Sequence, residues 1–250
     1  YNKLRMLIRH DKEFAHDASI IQRLVTQGFV TGTLKKGFPA ESINDPDNFI
    51  SLLFYFGMVT IAGTYRGKTK FVIPNEVVRE QIYAYLLSTY KENQLTYDTY
   101  EKGELESNLA YDGDYKSYFG YIADTIKQYA SQRDRQKGES FVHGFTLAMT
   151  CQNMYYRPIS ELDNQAGYAD IFLRPLLENY PDMEHSFIVE LKYCKSDATD
   201  EQVAKLREDA IAQVNRYADS EVVKTEVKTT RLHKVIVIFR SVDMVICEEV

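Results

Sequence analysis

The chain has no tryptophan and only three cysteines and six prolines among its 250 residues. Cys151, Cys194 and Cys247 are widely spaced and odd in number, so they suggest neither a disulfide framework nor a zinc motif. A reducing, cytoplasmic setting is the expectation. No apolar run approaches the roughly 20 residues that a membrane-spanning helix needs, and no secretory signal pattern is present. An excess of positive charge is also missing. The net charge is -6, which argues against a generally basic nucleic-acid binder. The chain starts at Tyr1, without Met and inside a charged, helix-like stretch, so a fragment of a longer protein is expected.

What is present is ordinary globular composition, 44% hydrophobic and 26% charged, with enough apolar groups for a core. The charge is unevenly placed. Residues 1–97 hold 12 Lys and Arg against 9 Asp and Glu, whereas residues 98–250 hold 18 against 27. Three regions are expected: a small winged-helix-like segment over 1–96, a helical linker or adaptor over 97–137, and an α/β domain over 138–250.

In the first region Asp45-Pro46-Asp47 reads as a helix start, followed by Phe49, Leu52, Leu53 and Phe56 at helical spacing. Met58–Thr64 and Lys68–Ile73 then read as strands joined through Tyr65-Arg66-Gly67, and Val77 to about Thr89 as a helix. Phe49, Leu53, Phe56 and Ile61 are expected to pack inward. Arg66, Lys68 and Lys70 are read as a solvated charged turn, which is commoner than a nucleic-acid contact. Gly63-Thr-Tyr-Arg-Gly67-Lys68-Thr69 superficially suggests a phosphate-binding loop, but no helix follows it as that motif requires.

Residues 97–114 are polar and read as a linker, and Tyr115–Gln132 as an amphipathic helix. Beyond them the order is helix (Glu139–Cys151), strand (Tyr155–Leu162, near an edge because of Pro158), strand (Tyr168–Arg174), strand (Ser186–Tyr193), helix (Thr199 to about Asp219), strand (Lys234–Arg240) and a short last strand (Met244–Cys247). This order places a crossover helix between strands of one mixed sheet.

Within Ser186–Tyr193, Glu190 and Lys192 are two residues apart and share a sheet face, whereas Val189 and Leu191 point the other way. Taken alone, Glu-x-Lys is most simply an exposed ion pair on an edge strand. Asp170 alters the balance, because a hairpin pairing of its strand with Ser186–Tyr193 can bring it beside Glu190. Two carboxylates then offer an oxygen-rich site suited to Mg²⁺ or Mn²⁺, and Lys192 offers a point charge for a phosphate. Glu139, four residues before His143 on one helix face, is a third carboxylate. An acid in a first helical turn is common, however, and His143 reads more simply as a core histidine. Gln213 and Tyr217 are also four apart and could face the same site, or be ordinary helix surface.

Taken together, Glu139, Gly167-x-x-Asp170, Glu190-x-Lys192 and Gln213-x-x-x-Tyr217 resemble the PD-(D/E)xK nuclease superfamily in order and spacing. Ala169 stands where the name-giving proline would be. With the stretches 48–57 and 73–79, the whole chain also resembles the C-terminal half of AAA-ATPase-like proteins of Bacteroides-type bacteria. The resemblance implies a restriction-endonuclease-like α/β/α core with a mixed central sheet. It implies hydrolysis of nucleic acid, DNA in the first instance, with Mg²⁺ held by Glu139, Asp170 and Glu190 and with Lys192 catalytic. Gln213 and Tyr217 would contact nucleic acid, and the N-terminal ATPase region would lie outside this chain. A silent interaction module on the same fold is the alternative, which the intact charged set disfavours.

Overall fold

Among the described residues, the first part of the chain combines helices with a three-stranded sheet, and the second sets helices against a five-stranded sheet. The structure, a computed structural model, describes residues 14–37, 48–92, 95–130, 138–160 and 171–250. It divides into two compact units, Tyr1–Glu92 and Asn93–Val250.

In the first unit, α1 (Phe14–Gln27) leads through Gly28 into β1 (Phe29–Gly32). α2 (Phe49–Tyr55), β2 (Thr60–Tyr65), β3 (Lys68–Val72) and α3 (Glu76–Glu92) follow. The residues 45–47 expected to start α2 lie outside the described residues. The β2–β3 turn is Arg66-Gly67, both with positive φ (49° and 77°). This is the twist that suits a two-residue hairpin, so the glycine-rich stretch here is a turn and not a phosphate loop. β1, unexpected from the sequence, pairs antiparallel with β3, giving a three-stranded sheet of order β1-β3-β2. Phe49 and Leu53 are buried as expected, but Phe56 is 42% and Ile61 46% exposed. β2 is an edge strand, so Ile61 is not covered by a neighbour on its outer side.

The second unit opens with α4 (Thr99–Tyr111) and α5 (Tyr115–Tyr129). α4 occupies the stretch expected to be a linker. Asp98 caps it by accepting from Tyr100 N and Glu101 N, which satisfies amide groups that a helix start leaves free. Its buried face carries an ion pair, Lys102 with Glu106, and Lys102 also donates to the Gln152 carbonyl at 3.3 Å. α6 (Gly138–Cys151), β4 (Tyr156–Ser160), β5 (Ile171–Pro175), β6 (His185–Cys194), α7 (Asp200–Ala218), α8 (Glu221–Glu226), β7 (Arg231–Arg240) and β8 (Asp243–Glu249) complete it.

The sheet order is β4-β5-β6-β7-β8. β5 and β6 are antiparallel, and β6 and β7 are parallel, joined by the α7–α8 crossover. Phe172, Ile188 and Ile236 face Ala210, Val214 and Tyr217 of α7 and Val223 of α8. The alternate residues of β6 face the other helical layer: Phe187 packs on Tyr156, whose hydroxyl donates to the Leu109 carbonyl of α4 at 3.3 Å. The result is a three-layer α/β/α unit with β6 at its centre. Among the described residues no helix is long and apolar enough to cross a membrane.

Candidate functional site

The apolar run Phe187-Ile188-Val189 carries β6 into the middle of the sheet, and Glu190 follows in the same buried strand. Its side chain is wholly inaccessible. This removes the edge-strand explanation of Glu190-x-Lys192, because β6 has neighbours on both sides. A buried carboxylate has to be compensated. Lys192 Nζ lies 2.5 Å from Glu190 Oε1 and donates to Gln213 Oε1 at 2.5 Å. The ammonium is thus held between β6 and α7 with 15% of its side chain exposed. The contact with Glu190 is an ion pair without hydrogen-bond alignment. Neither Glu190 oxygen accepts a hydrogen bond among the described residues.

His143, one turn into α6, belongs to the same neighbourhood. Burial first, and the Lys192 ammonium second, pull its imidazole down to about 3, so it is neutral at physiological pH. A core histidine is the expectation from the sequence. His143 is one, but it sits within electrostatic reach of the site lysine. The two roles could not be separated from spacing alone.

Other expected site residues fall elsewhere. Glu139 is exposed in the first turn of α6. It stands near Tyr193, whose hydroxyl is pushed up by burial and by the Glu139 carboxylate. Alternation points Tyr193 to the sheet face opposite Glu190 and Lys192, and the start of α6 packs against Tyr193. A side chain at Gly138 would have to displace the Tyr193 ring. Glu139, Tyr193, Lys195, Asp197, Arg240 and Ser241 line an open cleft of about 1050 Å³. Tyr217 is 3% exposed and sits in the core with Ile188 and Ile236. That position packs α7 onto the sheet. Asp170 and Gly167 lie outside the described residues. β5 pairs antiparallel with β6 as expected for these two strands, with Ile171 opposite Val189. Among the described residues no three His, Cys, Asp or Glu side chains converge as a metal cluster.

A central strand bearing Glu190-x-Lys192, with a glutamine from the crossover helix on the lysine, is the decisive arrangement. Residues 137–249 match the model of the PD-(D/E)XK nuclease superfamily. The match covers the sheet of the second unit with α6, α7 and α8, and the family is one of nucleases. No curated protein and no solved structure matches the chain.

Proposed function

We propose that the nuclease-superfamily domain hydrolyses phosphodiester bonds of nucleic acid, DNA in the first instance, with Mg²⁺ or Mn²⁺ as cofactor. One observation carries this reading: Glu190 is fully buried, is paired with Lys192 and has oxygens that accept no hydrogen bond among the described residues. A hard cation takes carboxylate oxygens in that condition. Glu190 would hold it together with Asp170. Glu139, at the cleft, is the third candidate ligand. A bound Mg²⁺ supplies Lewis acidity toward the phosphate and its attacking water.

The protein's own groups supply positioning and charge. Gln213 and Glu190 fix the Lys192 ammonium from two sides, so little conformational freedom remains to be lost when a phosphate arrives. The ammonium then offsets negative charge that builds on the phosphate oxygens. The neutral His143 imidazole adds no second positive charge beside Lys192. The first unit is proposed to be the adaptor that joins this domain to an ATPase region of the same protein.

The test is cleavage of plasmid and oligonucleotide DNA by the full chain with Mg²⁺ or Mn²⁺. Lys192→Ala should lower the rate on the order of 100- to 1000-fold. It also leaves the buried Glu190 carboxylate without its ion pair, so its thermal transition should fall without metal, and rates are compared on protein shown to be folded by circular dichroism. Equal rates in wild type and variant would show that cleavage arises elsewhere. Metal-independent binding without cleavage would favour the silent interaction module.

A further inference from the structure

The small sheet of the first unit has an outer face that the nuclease reading does not use. In its register Phe29 stands opposite Val72, Thr31 opposite Lys70, and Tyr65 opposite Lys68. Directly paired residues share a face, and so do alternate residues of one strand. Phe29, Tyr65, Lys68 and Lys70 therefore lie together, with Phe71 on the opposite, buried face. The contacts agree. The Phe29 and Tyr65 rings are 5.2 Å apart, edge to face. Lys70 Nζ is 4.8 Å from the Phe29 ring centre, and the Arg66 guanidinium is 5.3 Å from the Tyr65 ring centre. Tyr65 is 41% exposed, and Arg66 and Lys68 are exposed. Neither residues 18–37 nor residues 48–75 contain an Asp or Glu. The three cations are thus unopposed within their own strands, although the chain as a whole is acidic.

We propose that this face binds single-stranded nucleic acid, with Tyr65 and Phe29 as a stacking platform and with Arg66, Lys68 and Lys70 on the phosphates. Charge complementarity selects a polyanion. The aromatic rings select one whose bases are free to stack, because a duplex hides their faces within its own stack. A solvated charged turn accounts for the lysines but not for two rings standing beside them on the open side of the sheet. Arg66 and Lys70 already lie over those rings, so a base arriving on the platform meets both cation and π surface. This surface is independent of Glu190 and Lys192 and does not rest on the nuclease reading.

The test is fluorescence anisotropy of the full chain with a labelled oligothymidylate of roughly 16 nucleotides, in EDTA so that no cleavage can occur. Wild type should bind it more tightly than a duplex of equal length. Arg66→Gln/Lys68→Gln/Lys70→Gln should weaken binding at least about tenfold. It should also make the plot of log K against log salt shallower by about 2, since each phosphate contact on a single strand contributes roughly 0.7. Tyr65→Leu should weaken binding roughly tenfold with the salt slope unchanged, and Tyr65→Phe should retain binding. Circular dichroism and Mn²⁺ calorimetry should match wild type for all of them. The proposal is overturned if the triple variant binds with wild-type affinity and slope, or if Tyr65→Leu binds like Tyr65→Phe. It is also overturned if wild type ignores the oligonucleotide but binds phosphatidylserine vesicles through these residues. Failure of metal binding or cleavage would sink the nuclease reading and leave this measurement standing.

Discussion

Glu190 and His143 show what burial does to ionisable groups near the Lys192 ammonium. Glu190 stays compensated through Lys192, and His143 stays neutral because burial and the Lys192 charge pull it down to about 3. A histidine depressed in the folded state contributes stability that is present above its unfolded value near 6.5 and is lost as the pH falls toward about 3. Between those limits it costs about 1.4 kcal/mol per pH unit. Urea unfolding at pH 7 and pH 5 should therefore show a loss of about 2 kcal/mol in wild type that is absent from the His143→Gln difference. An equal pH dependence in both proteins would mean that His143 titrates normally. Gln213 acts through Lys192, so Gln213→Ala should lower kcat roughly ten- to a hundredfold with KM nearly unchanged. A change in KM alone would instead make Gln213 a substrate contact.

At the scale of elements, the crossover helix α7 explains why two residues four apart have different fates. One turn separates Gln213 from Tyr217, about 6 Å along the axis. As α7 runs back over β6, the first reaches Lys192 and the second settles over Ile188. Tyr217→Ala should cost about 3–5 kcal/mol in urea unfolding, while Tyr217→Phe should leave nucleic-acid affinity intact. A selective loss of affinity in Tyr217→Phe would restore the contact expected from the sequence. The strands β5 to β8 and the helices α5, α6 and α7 were legible because apolar periodicity marks each of them. α4 was not, since its outward face is polar and its buried face carries Lys102 and Glu106, charges that mimic a linker until they pair. Asp98→Ala should cost about 1 kcal/mol, measured by chemical unfolding, which tests the cap that the linker reading missed. β1 was missed because four residues, Phe-Val-Thr-Gly, are too short to display a period. The exposure of Phe56 and Ile61 depends on which strand lies at the sheet edge, and spacing does not encode strand order.

For the whole molecule, one unit presents a basic, aromatic sheet face, and the other holds an acidic nuclease-superfamily domain around a buried Glu-Lys pair. The pair itself was readable in the sequence, because two charges on one face of an apolar strand need compensation. Its central place in the sheet was not, since only the pairing of β6 with both β5 and β7 excludes an edge. The position of Glu139 beside Tyr193 also required the packing of α6. The proposed hydrolysis requires Glu190 to be a metal ligand, and titration calorimetry of Mn²⁺ into the full chain tests that directly. Wild type should bind Mn²⁺, Lys192→Ala should bind it at least as well, and Glu190→Gln should bind it at least about tenfold more weakly. Absence of Mn²⁺ binding in wild type, or equal binding by wild type and Glu190→Gln, would contradict the account.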